Sequence, residues 1–234
     1  GFATGSDASL FFAVAQANPK AALRRFSAAL GRETVEARQE FVGDARRTAV
    51  RRLEQLAIPA ETFFEAAQCL LLLAEAESES WSNNSTGIFI SLFSLGYGPI
   101  AASELSPAEK LDYLRKLLRS ETPFYREIAV KSLTRSLDPF MSRDVIEEVI
   151  GLRRLPDRWT PDTYEQLHEA YVAHVRLLEE AVEYLPVAEA SEAAKGILNH
   201  FRSLILIIPI AKTVLAFMRR AAAMPGMREQ CIET

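Results

Sequence analysis

Residues 66–93, AAQCLLLLAEAESESWSNNSTGIFISLF, contain the helix around which the rest of the chain is expected to pack. Ala66 to Leu73 is so continuously apolar that a helix there has no side to give to water, so neighbours should cover it on most sides. The acidic, small-residue run Ala74–Ser80 then brings the chain to the surface. There Trp81, Asn83 and Asn84 are expected to arrest the helix, because Asn tolerates the left-handed conformation that ends helices. Ser85 or Thr86 can accept from the free N–H groups of a second short helix, whose Phe89 and Phe93 return to the interior.

Working upstream, Pro59 or Ala60 is the expected start of the central helix, with Phe63, Phe64 and Ala67 leading into it. Before that, residues 34–57 place Phe41, Val42, Ala45, Ala49, Val50, Leu53 and Leu56 at helical spacings of three and four, with Gly43 as a candidate break. Asn18-Pro19 is a start signal with a mechanism: Asn caps, and proline at the first position lacks only an N–H that would be orphaned anyway. Leu23, Phe26 and Leu30 form that helix's apolar stripe. Asp7 can cap an earlier helix running through Leu10, Phe11, Phe12 and Val14 to about Ala17.

Downstream, Gly96-Tyr97-Gly98-Pro99 reads as a turn. Ser106 and Glu109 form a capping box ahead of Leu111, Leu114, Leu117 and Leu118. Thr122-Pro123 starts a further helix, Asp138-Pro139 ends it, and Ser142 is expected to cap another carrying Val145, Ile146, Val149 and Ile150. Arg153–Trp159, with Pro156, is the best boundary in the chain. Thr160-Pro161 opens the longest clean pattern, Tyr164, Leu167, Tyr171, Val175, Leu178, Val182 and Leu185, and Val187–Ala223 supplies its long partner. The expected organisation is a helical solenoid-like domain over 1–155, a long helical hairpin over 156–224 and a loose tail over 225–234. No period-two alternation persists, so the fold class is all-α, an irregular HEAT/TPR-like solenoid of helical hairpins with a long C-terminal helical pair.

At 234 residues, with 49% hydrophobic residues, 10 Gly and 11 Pro, the chain has ordinary globular usage and can bury a substantial core. A formal net charge of −4 argues against nucleic acid and anionic lipid as partners. The most apolar window, Ser203–Met218, is too short for a membrane span and is interrupted by Pro209 and Lys212, so it reads as a buried helix kinked at Pro209. Cys69 and Cys231 form no disulfide framework, and no signal peptide is visible, which points to a reducing cytoplasm. The chain begins at Gly1 rather than Met, as an excised or processed piece would.

Signals for chemistry are mostly negative. There is no phosphate-binding loop, no Gly-rich dinucleotide turn and no nucleophile elbow, and no catalytic residue, metal or cofactor is expected. His168 and His174, six residues apart, fall on different faces of one helix, and His200 lies on another. Glu75, Glu77 and Glu79, like Glu179, Glu180 and Glu183, read as solvated acidic faces; a helical enzyme using such carboxylates or histidines is one alternative. Arg46, Arg47, Arg51 and Arg52, with Arg24 and Arg25 on the preceding helix, make a basic strip that could track phosphates, so a nucleic-acid-contacting domain is the other. The run from Trp81 through Asn83, Asn84 and Thr86 is the most specific item. As structure it satisfies two helix ends; as function, an exposed Trp with adaptable Asn and Ser neighbours is hot-spot chemistry for a protein partner.

These residues also carry a resemblance. Asn18-Pro19 at a helix start, the Arg-rich helix with Leu53 and Leu56, LLLLAEAESESWSNNSTGIFISLF over 70–93 and the Ser106-Pro107-Ala108-Glu109-Lys110 helix together resemble the α-solenoid of bacterial STAND-type NTPases, antiviral defence proteins among them. The likeness covers about Leu10 to Leu137, and nothing specific follows Arg153. It implies a large protein with an effector domain, a nucleotide-binding switch and a helical sensor that binds a foreign or partner protein and triggers assembly. This chain would be sensor or scaffold only. It lacks the nucleotide-binding segment, so NTPase activity does not carry over. The resemblance and the helical pattern together make the expected function that of a non-catalytic cytoplasmic scaffold or sensor module in a larger bacterial protein. Its expected partner is a protein, such as a phage protein, or neighbouring domains of the same polypeptide, with homo-oligomers also possible.

Overall fold

A computed structural model of the chain describes residues 11, 13–95, 103–138, 149–150 and 153–223. These are helical, apart from connectors and one two-residue antiparallel pair, β1 (Val149–Ile150) with β2 (Arg153–Arg154), in which Val149 faces Arg154 and Ile150 faces Arg153. No helix among the described residues is long and apolar enough to cross a membrane. The chain divides into two compact units: Gly1–Leu92 with Ala102–Leu105 and Arg143–Trp159, and Phe93–Ala101 with Ser106–Ser142 and Thr160–Thr234. These limits differ from a cut at 155/156, and they divide the 66–93 stretch itself between Leu92 and Phe93.

In the first unit, a helical turn over residues 13–17 is followed by α1 (Pro19–Leu30), α2 (Val35–Gln39), α3 (Gly43–Leu56), α4 (Phe63–Glu75) and α5 (Ser85–Ser91). Asn18 caps α1 as its residue type predicts, its Oδ1 accepting from the Ala21 amide at 3.1 Å, and Thr34 caps α2. Gly43 does interrupt the 34–57 pattern: it sits at φ +70°, a left-handed conformation that side chains resist, and α3 starts there. The central helix is α4, which touches α1, α2, α3 and α5. Phe63, Ala66, Ala67, Cys69, Leu70, Leu71, Leu73 and Ala74 are all buried, as a helix without a polar side must be. Burial pushes the Cys69 thiol up to about 12. The helix begins at Phe63, not at Pro59 or Ala60, because residues 59–62 form a turn closed by the Thr62 amide on the Pro59 carbonyl.

The second unit contains α6 (Pro107–Leu118), α7 (Pro123–Ser136), α8 (Tyr164–Tyr184), α9 (Val187–Asn199), α10 (Phe201–Ile205) and α11 (Ile208–Ala221). The Ser106/Glu109 capping box is present in full. The hydrogen bonds from the Ser106 hydroxyl and amide hold the Glu109 carboxyl below its usual range. The 21-residue α8 packs against α6, α7, α9 and α11. Tyr171, fully buried, donates from its hydroxyl to the Leu95 carbonyl at 3.0 Å. Arg126 on α7 clamps Glu189 on α9 with two bonds of 2.7 Å.

Several sequence expectations are corrected here. The cap of α8 is Thr163, whose hydroxyl meets the Gln166 amide, not Thr160. The long C-terminal partner helix is three pieces, α9, α10 and α11, and the second break follows because a proline ring collides with the carbonyl four residues back. For Pro209 that residue is Ile205, where α10 stops. Pro209 therefore sits in the first turn of α11 instead of kinking a continuous helix, and Leu206 and Ile208 beside it are exposed, not buried. Val149 and Ile150 are extended, so no helix capped by Ser142 reaches them. The rest of that segment, the Gly96–Pro99 turn, Asp7, Phe12, Pro139 and the 224–234 tail lie outside the described residues.

Candidate functional site

The residues singled out around Trp81 converge on the C-terminal end of α4, where the last carbonyls of a helix have no intrahelical partner. Arg46, on α3, turns its guanidinium into that end and is 0% exposed. Its Nη2 donates to the carbonyls of Leu73 at 2.7 Å and Ala76 at 3.1 Å. Its Nη1 donates to those of Arg38 at 3.3 Å and Phe41 at 3.1 Å. Arg38, on α2, reaches the same helix end, donating to the Leu72 carbonyl at 2.8 Å and to Glu75 at 2.7 Å. Burial lowers the Arg46 pKa, while Glu77 and Glu79 favour its charge. Among the described residues its Nε finds no acceptor.

The three glutamates of the acidic run are not a solvated face. They stand at alternate positions, and each takes one arginine: Glu75 with Arg38, Glu77 with Arg46 at 3.3 Å, and Glu79 with Arg47 at 3.9 Å. Glu75 is the last residue of α4, while Glu77 and Glu79 lie in the non-helical connector 77–80. Glu77 is the hub. One carboxylate oxygen accepts from Arg46 and from the amides of Ser78 and Glu79, both at 3.1 Å. The other accepts from the Ser85 hydroxyl at 2.5 Å and the Thr86 amide at 3.2 Å.

Glu79 accepts from the Gly43 amide at 3.1 Å and from the Trp81 indole N–H. The cap of α5 is Asn84, whose Oδ1 accepts from the Gly87 amide at 2.9 Å while its Nδ2 donates to the Glu79 carbonyl at 2.7 Å. Asn84 therefore acts by capping and not by a left-handed turn, and Ser85 and Thr86 serve Glu77 instead of capping. Gly87 is required by space, since a Cβ there would lie 2.0 Å from the Ser82 carbonyl oxygen.

At the surface of this clamp the Arg47 guanidinium lies over the Trp81 ring at 5.3 Å. Trp81, Asn84 and Thr86 are half-buried and Asn83 is exposed. Phe89 is core, and Phe93 is core of the second unit, stacked on Tyr113 at 6.3 Å. Neither reaches a partner-facing surface. The basic strip is also divided. Arg24, Arg25, Arg47 and Arg51 are exposed, Arg52 is half-buried and donates to Gln55 at 2.7 Å, and Arg46 is removed from any phosphate-tracking surface by its burial.

No protein-family model, curated protein or solved structure matches the chain.

The histidines separate as their spacing implies. His174 is buried, its Nδ1 2.8 Å from the Ala170 carbonyl, and burial with the nearby Lys110 charge lowers it to about 4. Lys110 is itself 1% exposed, and burial brings its amine down to about 7. His200 is half-buried and lowered, mainly by burial. His168 lines a groove of ≈ 560 Å³ with Glu165, Glu169, Val172, Arg176 and Pro209. Of the second acidic cluster, Glu179 meets Arg220 at 3.0 Å and its carboxyl is raised by burial, whereas Glu180 and Glu183 are exposed. Sequence reasoning missed the inward turn of Arg46 and the pairing of Arg38. No local signal could have found them, because both depend on where the end of α4 lies in space.

Proposed function

We propose that this chain is a non-catalytic helical module that recognises a protein partner through the surface centred on Trp81. The observation that carries the reading is the contrast at the clamp. Its inner ionisable groups are committed to helix-end carbonyls and to one another, while Trp81 and Arg47 stand at its outer edge as a rigid aromatic–cation pair. A preordered aromatic loses little entropy on binding, which is what anchor residues require. The helices would form an irregular HEAT/TPR-like arrangement serving as scaffold or sensor in a larger cytoplasmic bacterial protein of the STAND type. A phage protein would be the partner in antiviral defence.

The test is capture of candidate phage proteins by the chain, followed by calorimetric titration of any that bind. Trp81→Ala and Arg47→Glu should each weaken binding at least about tenfold without loss of helix content, as anchor truncations do. Full affinity in both variants would sink the reading. A phosphate-binding loop upstream in the parent polypeptide would support the STAND assignment, and a parent without one would remove it.

Exposure of Arg24, Arg25, Arg47 and Arg51 favours one second reading, contact with nucleic acid. It requires salt-dependent affinity for DNA or RNA that falls on charge reversal at Arg47 and Arg51. Absence of binding at low salt would eliminate it.

A further inference from the structure

Arg47 differs from the other two arginines of the clamp in what its guanidinium is given. Arg38 donates to the Leu72 carbonyl at 2.8 Å and to Glu75 at 2.7 Å, and Arg46 to the Leu73 carbonyl at 2.7 Å. Arg47, with its side chain 55% exposed, has Asp44 at 3.7 Å and Glu79 at 3.9 Å, both beyond hydrogen-bond reach. Among the described residues no hydrogen bond holds its guanidinium. Its position is nonetheless constrained, because it lies over the Trp81 ring at 5.3 Å and the indole N–H is committed to Glu79. The fork is therefore preordered while its donors still face solvent.

A carboxylate offers two oxygens at the spacing of that fork. A phosphate monoester also matches it, but carries close to two negative charges near neutrality and would stand against both Asp44 and Glu79. The singly charged carboxylate meets less repulsion. The Asp44 side chain is fully exposed, and an exposed helix pair of this kind contributes little, so an incoming carboxylate displaces it at small cost. Apolar surface adjoins the cation as well. Val42, 54% exposed, directly precedes Gly43, and the Gly43 amide and Trp81 indole share the Glu79 carboxylate. That shared acceptor sets an exposed aliphatic residue next to the aromatic–cation pair.

We propose that the ligand of the Trp81 surface is a protein segment in which an aspartate or glutamate neighbours an apolar residue. Its carboxylate takes the Arg47 fork, and its apolar side chain rests on Trp81 and Val42. The inference rests on the Trp81 reading above and adds the chemistry that a partner must carry.

The test selects a displayed library of random peptides on the full 234-residue chain, then titrates the most enriched peptide, made synthetically, by calorimetry. The enriched sequences should share an acidic residue beside an apolar one. Replacing that acid by its amide should weaken binding about tenfold or more to the unaltered chain, and less than about threefold to Arg47→Ala, because the pair is already broken there. The peptide-side change needs no variant of the chain. Arg47→Glu should instead select peptides with lysine or arginine at that position. Enriched peptides that need Trp81 but carry no acid, or are indifferent to its amidation, overturn this inference and leave the Trp81 reading standing. Phosphoserine binding about tenfold more tightly than the acid would make the fork a phosphate site and overturn it too. Peptides indifferent to Trp81→Ala remove both readings, and a library that yields no enriched peptide removes the linear acidic segment proposed here.

Discussion

The two units bury positive charge in opposite ways. In the first, Arg46 is shielded from water yet given four backbone carbonyls, Glu77 and Ser85. In the second, Lys110 and His174 are just as buried, and burial moves them toward neutrality, to about 7 and about 4. A guanidinium cannot shed its proton, so its burial requires acceptors arranged in a planar fork. An amine or imidazole can discharge instead. One interior is therefore locked and the other responds to protons. The largest effect should come from breaking the lock. Arg46→Met leaves helix-end carbonyls and Glu77 unanswered, and urea unfolding should show a loss of about 3–5 kcal/mol, the range for removing one partner of a buried pair. Arg46→Lys should recover only part of it, because one nitrogen cannot span acceptors on α2, α4 and the connector between them and α3.

Gly87→Ala tests the same lock from its covalent side. The added Cβ would lie 2.0 Å from the Ser82 carbonyl oxygen and 3.1 Å from its carbon, and backbone cannot yield as the tip of a side chain can. A loss of about 2–3 kcal/mol is expected, within the range for overpacking. The indole fluorescence should change as well, since the shift would pass to Trp81. A neutral Gly87→Ala would mean the 82–87 turn is looser than its hydrogen bonds imply.

The proton response of the second unit has a definite sign. The unfolded chain takes up a proton on the His174 imidazole near 6.5, the folded chain only near 4, so between those values the unfolded state binds more protons. Falling pH therefore removes stability, on the order of 3 kcal/mol across the whole window. His174→Gln, whose amide can still donate to the Ala170 carbonyl, should flatten the decline in unfolding midpoint between pH 7 and 4. Lys110 works in a separate window, from about 7 to its ordinary 10.5, where rising pH stabilises the fold. Parallel pH profiles for the wild type and His174→Gln would place the acid sensitivity elsewhere.

What was legible in the sequence was local. Asn18-Pro19 and Ser106 with Glu109 start helices through groups within three residues of one another, and the apolar run of α4 could be nothing but interior. Arg46 and Arg47 show the limit. They are adjacent on α3, separated by the roughly 100° that one residue turns a helix. Nothing in their composition says which one faces inward. That depends on where the end of α4 lies, a contact across 27 residues. Lys110 was hidden for the same reason: on a capping-box helix it resembles an ordinary surface lysine until α8 closes over it.

The smallest expected effect separates the clamp from its surface. Trp81→Phe keeps a ring beneath Arg47 but removes the N–H that donates to Glu79 and weakens the ring's attraction for the cation, together about 1 kcal/mol. Combining it with Arg47→Ala isolates the stacking contribution, since the two changes should be less than additive by about 0.5 kcal/mol if the rings and guanidinium touch in solution. Full additivity would mean that Arg47 is held by its ion pairs with Asp44 and Glu79 and not by the ring. The Trp81 ring would then be available to a partner without displacing the arginine, and charge reversal at Arg47 would alter partner binding only through long-range electrostatics, with a salt dependence to match.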